Sequence, residues 1–132
     1  MLDRAQILQI IDKAYETRIR GDKAALAPFW SPGATYRLAG VADMLPSFPV
    51  GPSEAHSAVP AIIDLVRFHD LEQLQALVEG NSAAVHWRVT FSTQGKEPVT
   101  TEMYDLWSFD EDGKVTSLLQ FTDTALLKSM LN

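Results

Sequence analysis

The feature that most constrains this chain is residues 83–123, where side-chain polarity alternates with period two through three consecutive segments. In residues 84–93, Val85, Trp87, Val89 and Phe91 are apolar, and His86, Arg88, Thr90 and Ser92 between them are polar. Successive side chains of an extended strand point to opposite faces, so this spacing predicts a strand with one dry face. Gln94-Gly95-Lys96-Glu97-Pro98 has the chemistry of a turn. Residues 99–109 then resume the alternation, with Met103, Trp107 and Phe109 on one face and Thr100, Glu102, Tyr104 and Ser108 on the other. Asp105 falls on the face of Met103 and Trp107, a lone carboxyl among apolar groups. After the turn Asp110-Glu111-Asp112-Gly113, residues 114–123 make a third strand, with Leu118, Gln120 and Thr122 on one side and Leu119, Phe121 and Asp123 on the other. An apolar sheet face bearing a few polar atoms is how small-molecule pockets are built.

The segments before this stretch supply helices to cover that face. Ile7, Ile10, Ile11, Ala14, Arg18 and Ile19 keep helical spacing, with Asp3 as N-cap and Gly21-Asp22 as the stop. Residues 23–30 read as a short second helix ended by Ser31-Pro32-Gly33, and 34–39 as a strand placing Ala34, Tyr36 and Leu38 on one face. Residues 40–56, with Pro46, Pro49, Gly51 and Pro52, form a long irregular loop. Its Met44, Leu45, Phe48 and Val50 suit a lid over something apolar. Ser57 is placed to cap a third helix reaching about residue 68, with Pro60 in its first turn. His69 would then sit at that helix's C-terminus. Residues 71–79 alternate weakly as a strand, and Thr122 or Asp123 caps a last helix over 124–131. Helix, helix, strand, helix and four strands in hairpin succession predict an α+β fold. In it, helices cover one face of a curved mixed or antiparallel sheet and enclose a cavity, as one domain over residues 1–132.

Charge and composition narrow the functional classes. Seventeen acidic and eleven basic residues give a net charge of -6 with no basic cluster. Neither nucleic acid nor an anionic membrane is an expected partner. Without cysteine there is no disulfide or thiolate chemistry. The first residues lack a basic segment followed by an apolar run, and no stretch has the length of a membrane span, so a cytoplasmic protein is expected. Neither His56 nor His69 has a second histidine or carboxylate at ligand spacing, so no metal site is expected.

Several local motifs together resemble the SnoaL-like branch of the NTF2-like superfamily over nearly the whole chain. They are Arg20-Gly21-Asp22 closing the first helix, Ser31-Pro32-Gly33-Ala34-Thr35 opening the first strand, and Gly80 before a strand ending in Phe91. Tyr104-Asp105-Leu106-Trp107-Ser108-Phe109 and Asp112-Gly113-Lys114-Val115 followed by Asp123 complete the set. The resemblance implies a cone-shaped fold shared by ketosteroid isomerases, limonene-epoxide hydrolases and polyketide cyclases, and chemistry without a cofactor. It puts Asp105 where the isomerases keep a protonated aspartic acid that donates a hydrogen bond to a developing oxyanion. The isomerase base falls near Leu38, which cannot take a proton, and the isomerase tyrosine falls on Ala14, one position before Tyr15. Where the epoxide hydrolases use an arginine and two carboxylates this chain reads His86-Trp87-Arg88, and Gln120 stands where the second carboxylate belongs. Gln120 also stands near the carboxylate of the cyclases.

Asp105, Gln120 and Tyr15 are therefore the candidate catalytic residues. Tyr36, Leu38, Trp87, Phe91, Met103, Trp107 and Leu118 are the candidate substrate-binding residues. Each has a plain structural alternative: a tyrosine on an amphipathic element is commonly core with a bonded tip, and a buried aspartate can serve the fold alone. Two functions remain open. One is an acid/base enzyme of isomerase, cyclase or hydrolase type acting on a small apolar carbonyl or epoxide compound. The other is a non-catalytic module that binds a hydrophobic ligand or dimerises. On the outer sheet face, Arg88 is expected to pair with Glu102 across the strands. The apolar Tyr104, Leu106 and Leu119 beside that pair point to a homodimer through this face.

Overall fold

The computed structural model describes residues 2–40 and 53–131. Helix α1 (Arg4–Arg20) starts where the sequence predicts: the Asp3 carboxylate accepts the Gln6 N–H at 2.8 Å, and the Gln6 side chain accepts the Asp3 N–H at 2.9 Å. These reciprocal bonds satisfy donors that a helix start leaves open. Gly21 ends the helix at φ 69°, a left-handed conformation for which only glycine carries no steric cost. The next helix is shorter than expected. α2 (Lys23–Leu26) gives way to a 3-10 turn (Ala27–Phe29), and Trp30 already begins strand β1 (Trp30–Leu38). Pro28 has no N–H to donate back along the helix, so the α-helical hydrogen-bond ladder cannot run on through residue 30.

Strand β2 (Ser53–Glu54) pairs antiparallel with β1 and leads straight into helix α3 (Ala55–Leu65). The cap is Glu54, not Ser57: its carboxylate accepts the His56 N–H at 2.8 Å and the Ser57 hydroxyl at 3.0 Å. With the helix starting at Ala55, Pro60 lies inside it rather than in its first turn. Val66 is extended, and strand β3 (Arg67–Glu79) follows at once. His69 is therefore a strand residue, its Nε2 2.7 Å from Ser92 Oγ, and not a cation at a helix end. Register shifts between Phe68 and Asp70 and between Gln73 and Gln75 break the period of two, which explains why the alternation there is weak. Residues 41–52, which carry the proposed lid side chains Met44, Leu45, Phe48 and Val50, lie outside the described residues.

Strands β4 (Ser82–Ser92), β5 (Val99–Phe109) and β6 (Val115–Thr122) follow, then helix α4 (Thr124–Leu131) with Asp123 accepting the Leu126 N–H at 3.0 Å. The sheet runs β2-β1-β6-β5-β4-β3, with β1 parallel to β6 and the remaining pairs antiparallel. Val85, Trp87, Val89 and Phe91 are buried together with Met103, Asp105, Trp107 and Phe109. Ile7, Ile11, Ala14 and Tyr15 of α1 share their core. The opposite face leaves Leu77, Tyr104, Leu106 and Phe121 exposed, while Leu119 is half-buried. On it Arg88 bonds Glu72 at 2.9 Å, and Glu102 bonds His86 at 2.6 Å. The expected Arg88–Glu102 pair is not made, because Arg88 has a carboxylate directly opposite on each neighbouring strand and His86 engages Glu102. Among the described residues, no helix is long and apolar enough to cross a membrane.

Candidate functional site

Asp105 faces inward from the middle of β5, directly opposite Val85 on β4 and Gln120 on β6, and is 1% exposed. Three donors converge on one of its oxygens. The Tyr15 hydroxyl, Trp87 Nε1 at 3.1 Å and Trp107 Nε1 at 3.2 Å all bond Oδ2, while Oδ1 is buried without a partner among the described residues. Burial disfavours the charged carboxylate and pushes its pKa from 3.8 up to about 7, against the pull of the donors, Tyr15 foremost. The same burial, with the Asp105 charge next to it, holds the Tyr15 hydroxyl well above 10.

From Asp105 the polar contacts continue as a buried chain. The Gln120 amide donates to the Tyr15 oxygen at 2.9 Å, and the Tyr36 hydroxyl donates to Gln120 Oε1 at 2.5 Å. The aromatic rings hold this chain in place: Tyr15 meets Trp87 and Trp107 edge-on at centroid distances of 5.0 and 5.5 Å. Such contacts fix ring orientation and hence where the hydroxyl points.

Two small voids of about 30 Å³ each lie between the helices and the inner sheet face. One is lined by Leu38, Phe68, Val89, Phe91, Met103 and Leu127, the other by Ala14, Tyr15, Trp30, Val59, Trp107 and Leu118. Arg18, Tyr36, Ile62 and Gln120 border both and form their junction. Of the residues expected from sequence, Tyr15, Gln120, Tyr36, Leu38, Phe91, Met103, Trp107 and Leu118 thus reach a void. Asp105 and Trp87 line neither, and stand behind Tyr15, Asp105 touching it through the hydroxyl. Within the Tyr15–Asp105 pair it is Tyr15 that borders a void, and Asp105 accepts its hydroxyl from behind.

Arg18 is a functional candidate that the sequence pattern does not single out. It is 7% exposed, donates to the Val66 carbonyl at 2.7 Å, and lies 4.1 Å over the Phe68 ring. A signal is present all the same, since a charge occupies a place in the apolar stripe of α1, four residues after Ala14. Trp30 is likewise unmarked by its sequence context; its Nε1 is buried with no partner among the described residues.

Comparison with known proteins agrees with this architecture. A family model described as a SnoaL-like domain matches residues 11–118. No curated protein matches the sequence. Among solved structures, a protein from Rhodopseudomonas palustris named as a candidate isomerase is 22% identical, with a TM-score of 0.77 over 98% of this chain and 97% of its own. An NTF2-like protein of unknown function from Burkholderia pseudomallei is 16% identical, with a TM-score of 0.76 over 96% and 98%. A candidate SnoaL-like polyketide cyclase from Jannaschia sp. CCS1 is 14% identical, with a TM-score of 0.73 over 99% and 97%. At these identities the structures speak for the fold, while the family model covers most of the chain. The helices stacked on one face of the mixed sheet, and the match over residues 11–118, identify the chain as a member of the SnoaL-like family with an NTF2-like fold.

Proposed function

We propose that this protein binds a small apolar molecule bearing a carbonyl or epoxide between its helices and sheet and acts on it by acid/base chemistry without a cofactor. The observation that carries this reading is the buried chain Tyr36, Gln120, Tyr15, Asp105, which ends on a carboxyl brought to about 7. When Asp105 is ionised, Tyr15 is held as its donor. When Asp105 takes a proton on Oδ2, the Tyr15 oxygen stands within hydrogen-bond reach to accept it. The acid then donates to the Tyr15 oxygen and leaves the Tyr15 proton free for a ligand oxygen. In a dry site, a donor aimed at developing negative charge is among the largest catalytic terms. Isomerase, cyclase and hydrolase chemistry all build such charge, in keeping with the names of the Rhodopseudomonas and Jannaschia proteins.

A second reading is favoured by Leu38, which occupies the place of a base and carries no proton acceptor. On that reading the chain is a non-catalytic ligand-binding or dimerising module. The two separate in one experiment: small enolisable ketones and epoxides are offered in D₂O, and α-deuteration and ring opening are followed by NMR. The enzyme reading expects turnover that falls at least tenfold in Tyr15→Phe and declines above pH 7. Saturable binding with no turnover at any pH would leave the module as the answer. Under either reading the exposed Leu77, Tyr104, Leu106 and Phe121 on the outer sheet face are the surface for a homodimer.

A further inference from the structure

The lining of the two voids is unbalanced in its hydrogen bonding, and the imbalance says what kind of molecule completes it. Arg18 brings a guanidinium with five N–H groups to the junction, and among the described residues its side chain has one hydrogen bond, to the Val66 carbonyl. None of the described carboxylates forms an ion pair with it. Trp30 borders one of these voids with Arg18, and its Nε1 is buried without a partner among the described residues. Two of the acceptors nearby are already engaged: Gln120 Oε1 receives Tyr36, and the Tyr15 oxygen receives Gln120. Burial lowers the Arg18 pKa to about 10, which still leaves the group charged at neutral pH. A buried cation without a counter-charge is costly, and its natural complement is a desolvated anion.

We propose that the junction of the two voids is an anion seat, and that the ligand of this protein is a short-chain carboxylic acid bound as its carboxylate against Arg18 and the Trp30 N–H. This rests on the small-molecule reading above and adds the charge of the ligand to it. Arg18 is the specificity-determining residue. A guanidinium presents a planar fork that matches a carboxylate with two parallel bonds. At about 30 Å³ each the voids are methyl-sized, so the tail of a short acid lying against Val89, Phe91 and Met103 has to widen them, and a drug-sized ligand of roughly 300 Å³ or more is far out of reach. The carboxylate also places the rest of the ligand beside Gln120 and the Tyr15 hydroxyl, which border the same space.

The test titrates ¹⁵N-labelled protein with butanoate and pentanoate and, separately, with butanamide and pentanamide, which match them in shape but lack the charge. The reporters are the Trp30 indole N–H and the Arg18 Nε–H. The acids are expected to shift both signals saturably and to bind about tenfold or more tightly than the amides, the scale of a hydrogen bond to a charged group. Arg18→Met keeps an apolar stem over Phe68 and should erase that preference, bringing acid and amide binding level. Arg20→Gln, on the exposed side of the same helix, should leave the preference intact. Amides binding as tightly as acids to the unaltered protein would overturn the anion seat and spare the small-molecule reading. So would an acid preference that survives Arg18→Met. Binding of neither class at millimolar concentration would refute the anion seat and remove support from the reading it rests on.

Discussion

Replacing Asp105 with asparagine isolates the energetic consequence of placing a carboxyl in this core. The side chain is 1% exposed, and its pKa rises from 3.8 to about 7 on folding, chiefly through burial. The folded state therefore holds its proton more tightly than the unfolded chain. The stabilisation this gives is complete below 3.8 and is lost as pH rises through about 7. At about 1.4 kcal/mol per pH unit across that window, the loss is about 4 kcal/mol. Asparagine is neutral throughout. Its amide oxygen can accept from Tyr15, Trp87 and Trp107 as Oδ2 does, and its NH₂ falls where Oδ1 already lacks a partner. Urea unfolding of both proteins, followed by tryptophan fluorescence from pH 4 to pH 8, cancels the titration of the other carboxylates, which the two share. The gap in unfolding free energy should move by about 4 kcal/mol in favour of Asp105→Asn as pH rises. With a slope of about 2 kcal/mol per molar urea, that is a relative midpoint shift of about 2 M. Curves that stay parallel over the whole range would mean that Asp105 is ionised at neutrality, held there by its three donors, and the proton switch attributed to Tyr15 would be wrong.

Two further outcomes bear on the core and on assembly. Ile11 is fully buried on the inner face of α1, so Ile11→Ala should cost about 2–5 kcal/mol in the same urea assay; a loss under about 1 kcal/mol would show that α1 packs loosely on the sheet. If the outer sheet face joins two copies, Phe121→Lys should convert a sedimenting dimer to monomer at micromolar concentration without lowering the stability of the isolated chain by more than roughly 0.5 kcal/mol. An unaltered protein that sediments as a monomer would dispose of the dimer.

Period-two alternation determined the inner faces of β4, β5 and β6, because one residue of slippage would turn every apolar side chain to solvent. That is why Val85, Trp87, Val89, Phe91, Met103, Trp107 and the misfit Asp105 can be assigned to one surface from residue order alone. Caps were legible where a side chain bonds its own helix start, as at Asp3 and Asp123. They failed at Glu54, where a glutamate just ahead of Ser57 took the role. What sequence could not supply was distance between elements. Tyr15 and Asp105 are ninety positions apart and Tyr15 and Gln120 one hundred and five, and only the packing of α1 on the sheet makes them one hydrogen-bonded chain. The same packing set Asp105 behind Tyr15 rather than against a void, and turned Arg18 from one more member of a helical stripe into a buried charge at the junction of two cavities. Local patterning decides which face a side chain takes. Which side chain on that face meets a ligand depends on what the opposing helix covers, and that is settled only when the layers close.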